Sequence, residues 1–310
     1  MRPYPLKHVQ RGVETLAELD QRGFLTNSQV ADLLFADRPN PQGALRTDTA
    51  AQAAANRTLR RLWHSGLVER VRVVLTSRRT GGPYVTFVNV LTVAGARIVR
   101  DSYEELGTDR SLRWTKGGGD LGYQGFEHAV AINDVYALAV RACAQRGVRI
   151  GGWRDDRQLA AMNRIGETHF VSVPDGFFAL SAGGPVVGHF LELDRGTETV
   201  FGISERRRDW KAKIAGYEAY FRERYGAEAL FEGIAAPVVL TVTTSAERLA
   251  NLVAATRAAG GGARYWYTTL DALDPEDAPR GAAFWEPIWH LATEASPCSL
   301  LERVGPNFVS

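Results

Sequence analysis

The chain has 310 residues, 45% of them hydrophobic and 23% charged, with 37 Lys+Arg against 35 Asp+Glu. That is the composition of a soluble globular protein with core enough for one to three domains. No run of about 18 apolar residues occurs, which excludes an expected membrane helix, and Cys143 and Cys298 form no CxxC, which excludes a disulfide framework and a zinc signature.

The charge is uneven. Residues 1–120 hold 18 Lys+Arg and 12 Asp+Glu, and residues 121–310 hold 19 and 23. A basic N-terminal part is what phosphate binding needs. The basic residues comprise 33 Arg and four Lys (Lys7, Lys116, Lys211 and Lys213), a bias of GC-rich bacterial genomes. The start, MRPYPLKHVQRG, lacks an apolar signal core, so a cytoplasmic location is expected.

In chain order, residues 11–22 carry Val13, Leu16 and Leu19 at helical spacing and stop at Gly23. Thr26 or Asn27 caps a short second helix holding Val30, Leu33 and Leu34. Residues 49–66 predict a third helix, with Leu59, Leu62 and Trp63 inward, Arg57, Arg60 and Arg61 outward, and Gly66 as its stop. VRVVL and YVTFVNVL predict two strands flanking a turn that bears Arg78 and Arg79. Three helices and a hairpin resemble a winged helix-turn-helix domain, in which the third helix enters the major groove of double-stranded DNA and the wing touches its backbone. Arg57, Arg60, Arg61, Arg78 and Arg79 are then the candidate DNA contacts.

A further helix is expected over 92–106. The Gly-rich stretch 114–125 reads as a linker, which divides the chain into a winged helix (1–113) and a second domain (126–310). The second domain opens with an amphipathic helix over 126–147, with Glu127 and His128 at its start, followed by a strand at VRIGGW and a short polar helix or loop. Residues 169–198 predict two strands joined by SAGGP, with His169 and Asp175 on the first and His189, Glu192 and Asp194 on the second. The two histidines read as satisfied structural residues. Period-two alternation puts Glu192 and Asp194 on one face, and antiparallel pairing brings Asp175 alongside. Three carboxylates on one patch repel unless a cation sits among them, and hard oxygen donors suit Mg²⁺ or Mn²⁺. A long helix over 202–226 follows, with Trp210, Ile214, Tyr217 and Phe221 inward and Lys213 on the flank. PVVLTVTT is a doubly covered strand, 246–260 a helix and 263–273 a last strand.

The order of elements, Pro174-Asp175 on one strand and Glu192-Leu193-Asp194 on the next resemble the PD-(D/E)XK nuclease fold. The resemblance implies an α+β, mixed-sheet domain in which Asp175, Glu192 and Asp194 bind metal and a lysine assists the attacking water or the phosphate. Asp194 stands where that lysine belongs, so Lys213, or else Lys211, is the candidate replacement. Glu127 is a candidate extra ligand. Arg195, Glu198 and Arg206–Arg208 are candidates for ordering the site or touching phosphate. The chain from about residue 10 to 275 is also similar to the replication-relaxation family of plasmid and mobile-element proteins. That likeness rests on His128, Asn133, Asp134 and Tyr136, on PDG (174–176), on ELDRGTE (192–198), and on Lys213 with Tyr217. It implies a role in plasmid replication, DNA relaxation or mobilisation, with a relaxase or the replication machinery as a partner and a homodimer as a plausible assembly. Two activities fit: a divalent-metal-dependent DNA endonuclease or nickase, and a non-catalytic DNA-binding accessory factor with a degenerate nuclease fold.

Overall fold

A computed structural model describes residues 9–37, 46–77, 80–105, 123–163, 173–196, 210–228 and 231–304. Arg78, Arg79, His169, Glu198, Arg206, Arg207, Arg208 and residues 114–122 of the expected linker lie outside them. The fold is mixed α and β with two sheets, and the chain divides into two compact units, Met1–Ala137 and Leu138–Ser310. The division falls inside a helix rather than at 114–125.

Unit 1 runs α1 (Val9–Arg22), β1 (Phe24–Thr26), α2 (Asn27–Leu34), α3 (Asp48–His64), β2 (Val68–Thr76), β3 (Pro83–Leu91), α4 (Val93–Glu105) and the first part of α5 (Tyr123–Arg146). Its antiparallel sheet has the order β1-β3-β2. Gly23, at φ 74°, turns the chain from α1 into β1, a conformation that disfavours residues with a Cβ. Thr26 then caps α2 in a capping box. Its hydroxyl accepts from Gln29 N, and Gln29 Oε1 accepts from Thr26 N. Leu59 and Leu62 are buried as expected, but Trp63 is not: it is 46% exposed on the last turn of α3.

The start of α5 belongs to this unit. Val130, Phe126 and Ala129 pack on Phe24, Leu75 and Val88. Asn133 Nδ2 donates to Phe24 O at 3.0 Å, and Gln29 Nε2 donates to both Val130 O and Asp134 Oδ1 at 2.9 Å. The Arg22 guanidinium lies 3.9 Å from the Tyr136 ring centroid. Asn133, Asp134 and Tyr136 of the H-x-x-x-x-N-D-x-Y motif are therefore clamps on α1, β1 and α2. Glu127, a candidate metal ligand from sequence, instead accepts from Thr76 N at 2.7 Å and caps the end of β2.

Unit 2 holds the rest of α5, then β4 (Arg149–Asp155), α6 (Asp156–Asn163), β5 (Gly176–Ser181), β6 (Val186–Asp194), α7 (Trp210–Glu223), β7 (Ile234–Thr243), α8 (Ala246–Ala258), β8 (Tyr265–Thr269), α9 (Leu270–Leu273), β9 (His290–Leu291) and α10 (Leu301–Val304). The sheet order is β4-β5-β6-β7-β8-β9. Its β5–β6 hairpin is antiparallel, whereas β6, β7 and β8 run parallel, with α7 and α8 as the crossovers. The expected strand over 263–273 is shorter, because Thr269 caps α9 at its end.

Nearly every residue of β6 is buried, on both faces. One face carries Phe190, which packs with Phe177, Trp210, Ile214, Tyr217, Tyr265 and Tyr267 in an aromatic core beneath α7 and α8. The other carries His189, which is fully buried and stacked on Phe178 with centroids 5.4 Å apart. The sequence reads His189 as a satisfied structural residue, but neither ring nitrogen has a hydrogen-bond partner among the described residues.

Candidate functional site

The candidate site lies at the C-terminal end of β6, where the hairpin meets α7. Asp175 sits in the bend just before β5, not on the strand, and its N–H donates to Leu191 O at 3.0 Å. This continues the hairpin ladder one step past the Gly176–Leu191 pair. The Asp175 carboxylate turns back onto the same partner strand, where Oδ2 accepts from Leu193 N at 2.7 Å. Gly176 has its own reason to be glycine. A Cβ there would lie 2.6 Å from the Trp153 ring, so the strand closes on β4 only without a side chain. The PDG tripeptide thus joins one carboxylate to one packing requirement.

Glu192 is 2% exposed. Its Oε2 accepts from Lys213 Nζ at 2.9 Å and its Oε1 from the Tyr217 hydroxyl at 2.6 Å. Lys213 and Tyr217 stand one turn apart on α7, so a single helix face supplies both donors. Lys213 is 7% exposed, and its ammonium also lies 5.1 Å from the Trp210 ring centroid. Burial pushes the Glu192 carboxyl up to about 7. The nearby Asp175 pushes the same way, while Lys213 and Tyr217 oppose it. Tyr217 is pushed well above the usual phenol range, first by burial and then by the Glu192 charge. The relocated-lysine reading thus meets a structure in which Lys213 does reach Glu192. Lys211 is exposed.

Asp194 departs from the expected trio. It shares the Glu192 face, but Arg248 of α8 grips it with two bonds, Nε to Oδ2 at 2.7 Å and Nη2 to Oδ1 at 2.8 Å. Thr243 Oγ1 adds a third at 2.8 Å, and Gly196 N a fourth at 3.3 Å. Burial alone would raise its carboxyl, but the Arg248 and Thr243 hydrogen bonds outweigh it and hold Asp194 below its usual range. Its charge is already compensated, so it needs no cation. Among the described residues no group of three or more His, Cys, Asp or Glu is arranged to hold a metal. Of the three expected carboxylates, Asp194 is thus the one gripped by a guanidinium. Sequence reasoning missed Arg248, which lies 54 residues beyond its partner and belongs to no motif.

On unit 1, Arg57, Arg60 and Arg61 are all exposed on α3. Their spacing of three and four residues puts them on one helix face, continued by His64.

Comparison with known proteins bears on this constellation. The family model described as replication-relaxation matches residues 16–233. The chain belongs to the replication-relaxation family. The matched span runs from within α1 to just past α7, taking in Asp175, Glu192, Lys213, Tyr217 and the α5 clamps, but it ends before Arg248. No curated protein matches this family member. Among solved structures it is similar to the restriction endonuclease FokI bound to DNA, at 9% identity and a TM-score of 0.25 over 84% of this chain and 67% of that one. A second FokI structure gives 10% identity and a TM-score of 0.23 over 83% and 67%.

Proposed function

We propose that this replication-relaxation protein is a DNA-processing factor whose second unit hydrolyses phosphodiester bonds with the help of a divalent cation. Unit 1 has the helix and strand order of a winged helix, and the Arg57, Arg60 and Arg61 face of α3 is the surface that meets duplex DNA. The observation that carries the catalytic reading is Lys213 Nζ at 2.9 Å from Glu192 Oε2. The lysine absent from the position after Glu192-Leu193 is restored from α7.

The residues present fit Mg²⁺ or Mn²⁺. Asp175, in the bend before β5, and Glu192, on β6, are hard oxygen donors. Burial, with the nearby Asp175 charge, keeps the Glu192 carboxyl raised despite the Lys213 ammonium. Asp175 and Glu192 would hold the ion, which would supply electrophilic stabilisation of the attacked phosphate. Lys213 would orient water or phosphate beside the acids, and Tyr217 holds the Glu192 carboxylate in place. Asp194 and Arg248 fasten the end of β6 to α8.

A second reading has its own observation. Glu192 is 2% exposed with both oxygens engaged, as in a structural ion pair, which favours a non-catalytic DNA-binding accessory factor. Calorimetric titration of Mg²⁺ and Mn²⁺, paired with nicking of supercoiled plasmid, separates the two. The catalytic reading expects saturable binding and cleavage that Asp175→Ala and Lys213→Ala lose by at least about a hundredfold, on the order of 3 kcal/mol of transition-state stabilisation. Full cleavage by Asp175→Ala, or no cation binding with DNA present, defeats it.

A further inference from the structure

The two faces of the β2–β3 hairpin are unlike. On one face Val73, Leu75, Val88 and Val90 pack against Phe24, Phe126, Ala129 and Val130. On the other, the register sets Arg72 opposite Phe87 and Val74 opposite Val85. Phe87 is 41% exposed, Val74 48% and Val85 51%. Arg70 belongs to this second face. Its guanidinium lies 4.6 Å from the Phe87 ring centroid and 6.0 Å from that of Trp63. Its Nε is buried without a hydrogen-bond partner among the described residues, so the two rings position it. The result is a row of Trp63, Arg70 and Phe87, open to solvent and continued by two valines.

The sequence puts no carboxylate on this face. Its strand positions are Arg70, Arg72, Val74 and Thr76 on β2 and Pro83, Val85, Phe87 and Asn89 on β3, while Glu69 points to the other side. Exposed apolar side chains gathered on one face mark an interaction site. Cations without acids select a polyanion, and exposed rings select a polyanion that has π faces to offer. Duplex DNA keeps the faces of its bases stacked inside and offers only their edges and the phosphates. A second copy of the chain, docked face to face, would press arginine on arginine, which costs several kcal/mol in a buried contact.

We infer that this face binds single-stranded DNA, with unpaired bases stacking on Trp63 and Phe87 and phosphates meeting Arg70 and Arg72. The face is distinct from the Arg57–Arg61 stripe proposed for duplex. A protein that holds duplex on α3 and an unpaired strand on the hairpin suits a DNA junction, where the two forms meet.

The inference rests on the DNA-binding part of the proposed function and not on the cation site. Measured in EDTA, it fails or succeeds independently of cleavage. The experiment is fluorescence anisotropy of the full chain with a labelled 20-nucleotide single strand and with the blunt duplex of the same sequence. Trp63→Ala/Phe87→Ala is expected to weaken single-strand binding by about tenfold or more and duplex binding by less than about twofold. Trp63→Phe keeps a ring and should retain single-strand affinity. Exposed Arg72, replaced by Ala, should lower the salt slope for the single strand by about 0.7. That variant carries the test should the double variant melt early. Equal losses on single strand and duplex, or an unchanged salt slope in Arg72→Ala, would overturn the inference. So would a wild-type dimer that the double variant lacks while single-strand affinity is kept, because the face would then be a self-association surface.

Discussion

At Glu192 a buried carboxylate meets one cation and one hydroxyl, and the balance between them sets how the site responds to mutation. Removing Lys213 leaves the charge with Tyr217 alone. Lys213→Ala should therefore cost about 3–5 kcal/mol, as for other buried pairs broken on one side. Glu192→Gln/Lys213→Met removes both charges and should cost less than the sum of the two single changes, with a coupling of about 1–3 kcal/mol. Urea unfolding at pH 8 of the wild type, the two single variants and the double variant measures this coupling, and strict additivity would show that the 2.9 Å contact has no energetic meaning. His189 makes a separate prediction on the opposite face. Burial lowers its imidazole to about 3, and weak approaches of the Val187 and Phe178 backbone offset only part of this. The unfolded chain takes up a proton near pH 6.5 that the folded chain refuses until about 3. Stability is therefore highest above pH 6.5 and falls as the pH drops towards 3, by on the order of several kcal/mol. His189→Phe should flatten that part of the stability–pH curve. An unchanged slope between pH 6.5 and 4 would mean that the ring is protonated in place. These residues were unequally legible. Strand alternation put Glu192 and Asp194 on one face, and the scarcity of lysine singled out Lys213. The Arg248 grip on Asp194 was invisible, because a partner 54 residues away leaves no local signal.

The helices and strands themselves were mostly readable, since each combines a hydrophobic period with a chemical stop. Gly23 after α1 and the Thr26–Gln29 capping box before α2 are punctuation that a sequence displays. What it does not display is which neighbour a face will meet. Trp63 lies in the apolar pattern of α3 and was read as inward. In the fold its indole lies over Arg70 instead of entering the core. The N-D-x-Y motif of α5 carried part of the family likeness, with no role attached to its residues. Asn133 and Asp134 satisfy groups of β1 and α2, a structural use of polar side chains that only the tertiary hydrogen bonds reveal. Asp175 moved from strand to bend for a related reason: its carboxylate caps the backbone of the strand beside it.

Taken whole, the molecule divides at 137/138, within α5, and not in the Gly-rich stretch that composition marks out. Composition registers where glycines gather; it does not register which unit the next helix completes. Phe126, Ala129 and Val130 close the core of unit 1 against Phe24, Leu75 and Val88, and Asn133 satisfies a carbonyl of β1. Each large apolar side chain is worth about 1.5–3 kcal/mol on burial, and each orphaned buried polar group costs about 1–3 kcal/mol. A fragment ending at 122 loses all of these at once, a deficit comparable to the total stability of a small domain. A fragment ending at 137 keeps them and stops short of Leu138, Ala139, Ala142 and Cys143, which are buried in the full chain. Residues 1–137 should therefore melt cooperatively by circular dichroism, while residues 1–122 should bind the dye ANS and show no sharp transition. If the two fragments melt alike, the start of α5 adds nothing to the core of unit 1, and the boundary lies in the glycine-rich stretch after all.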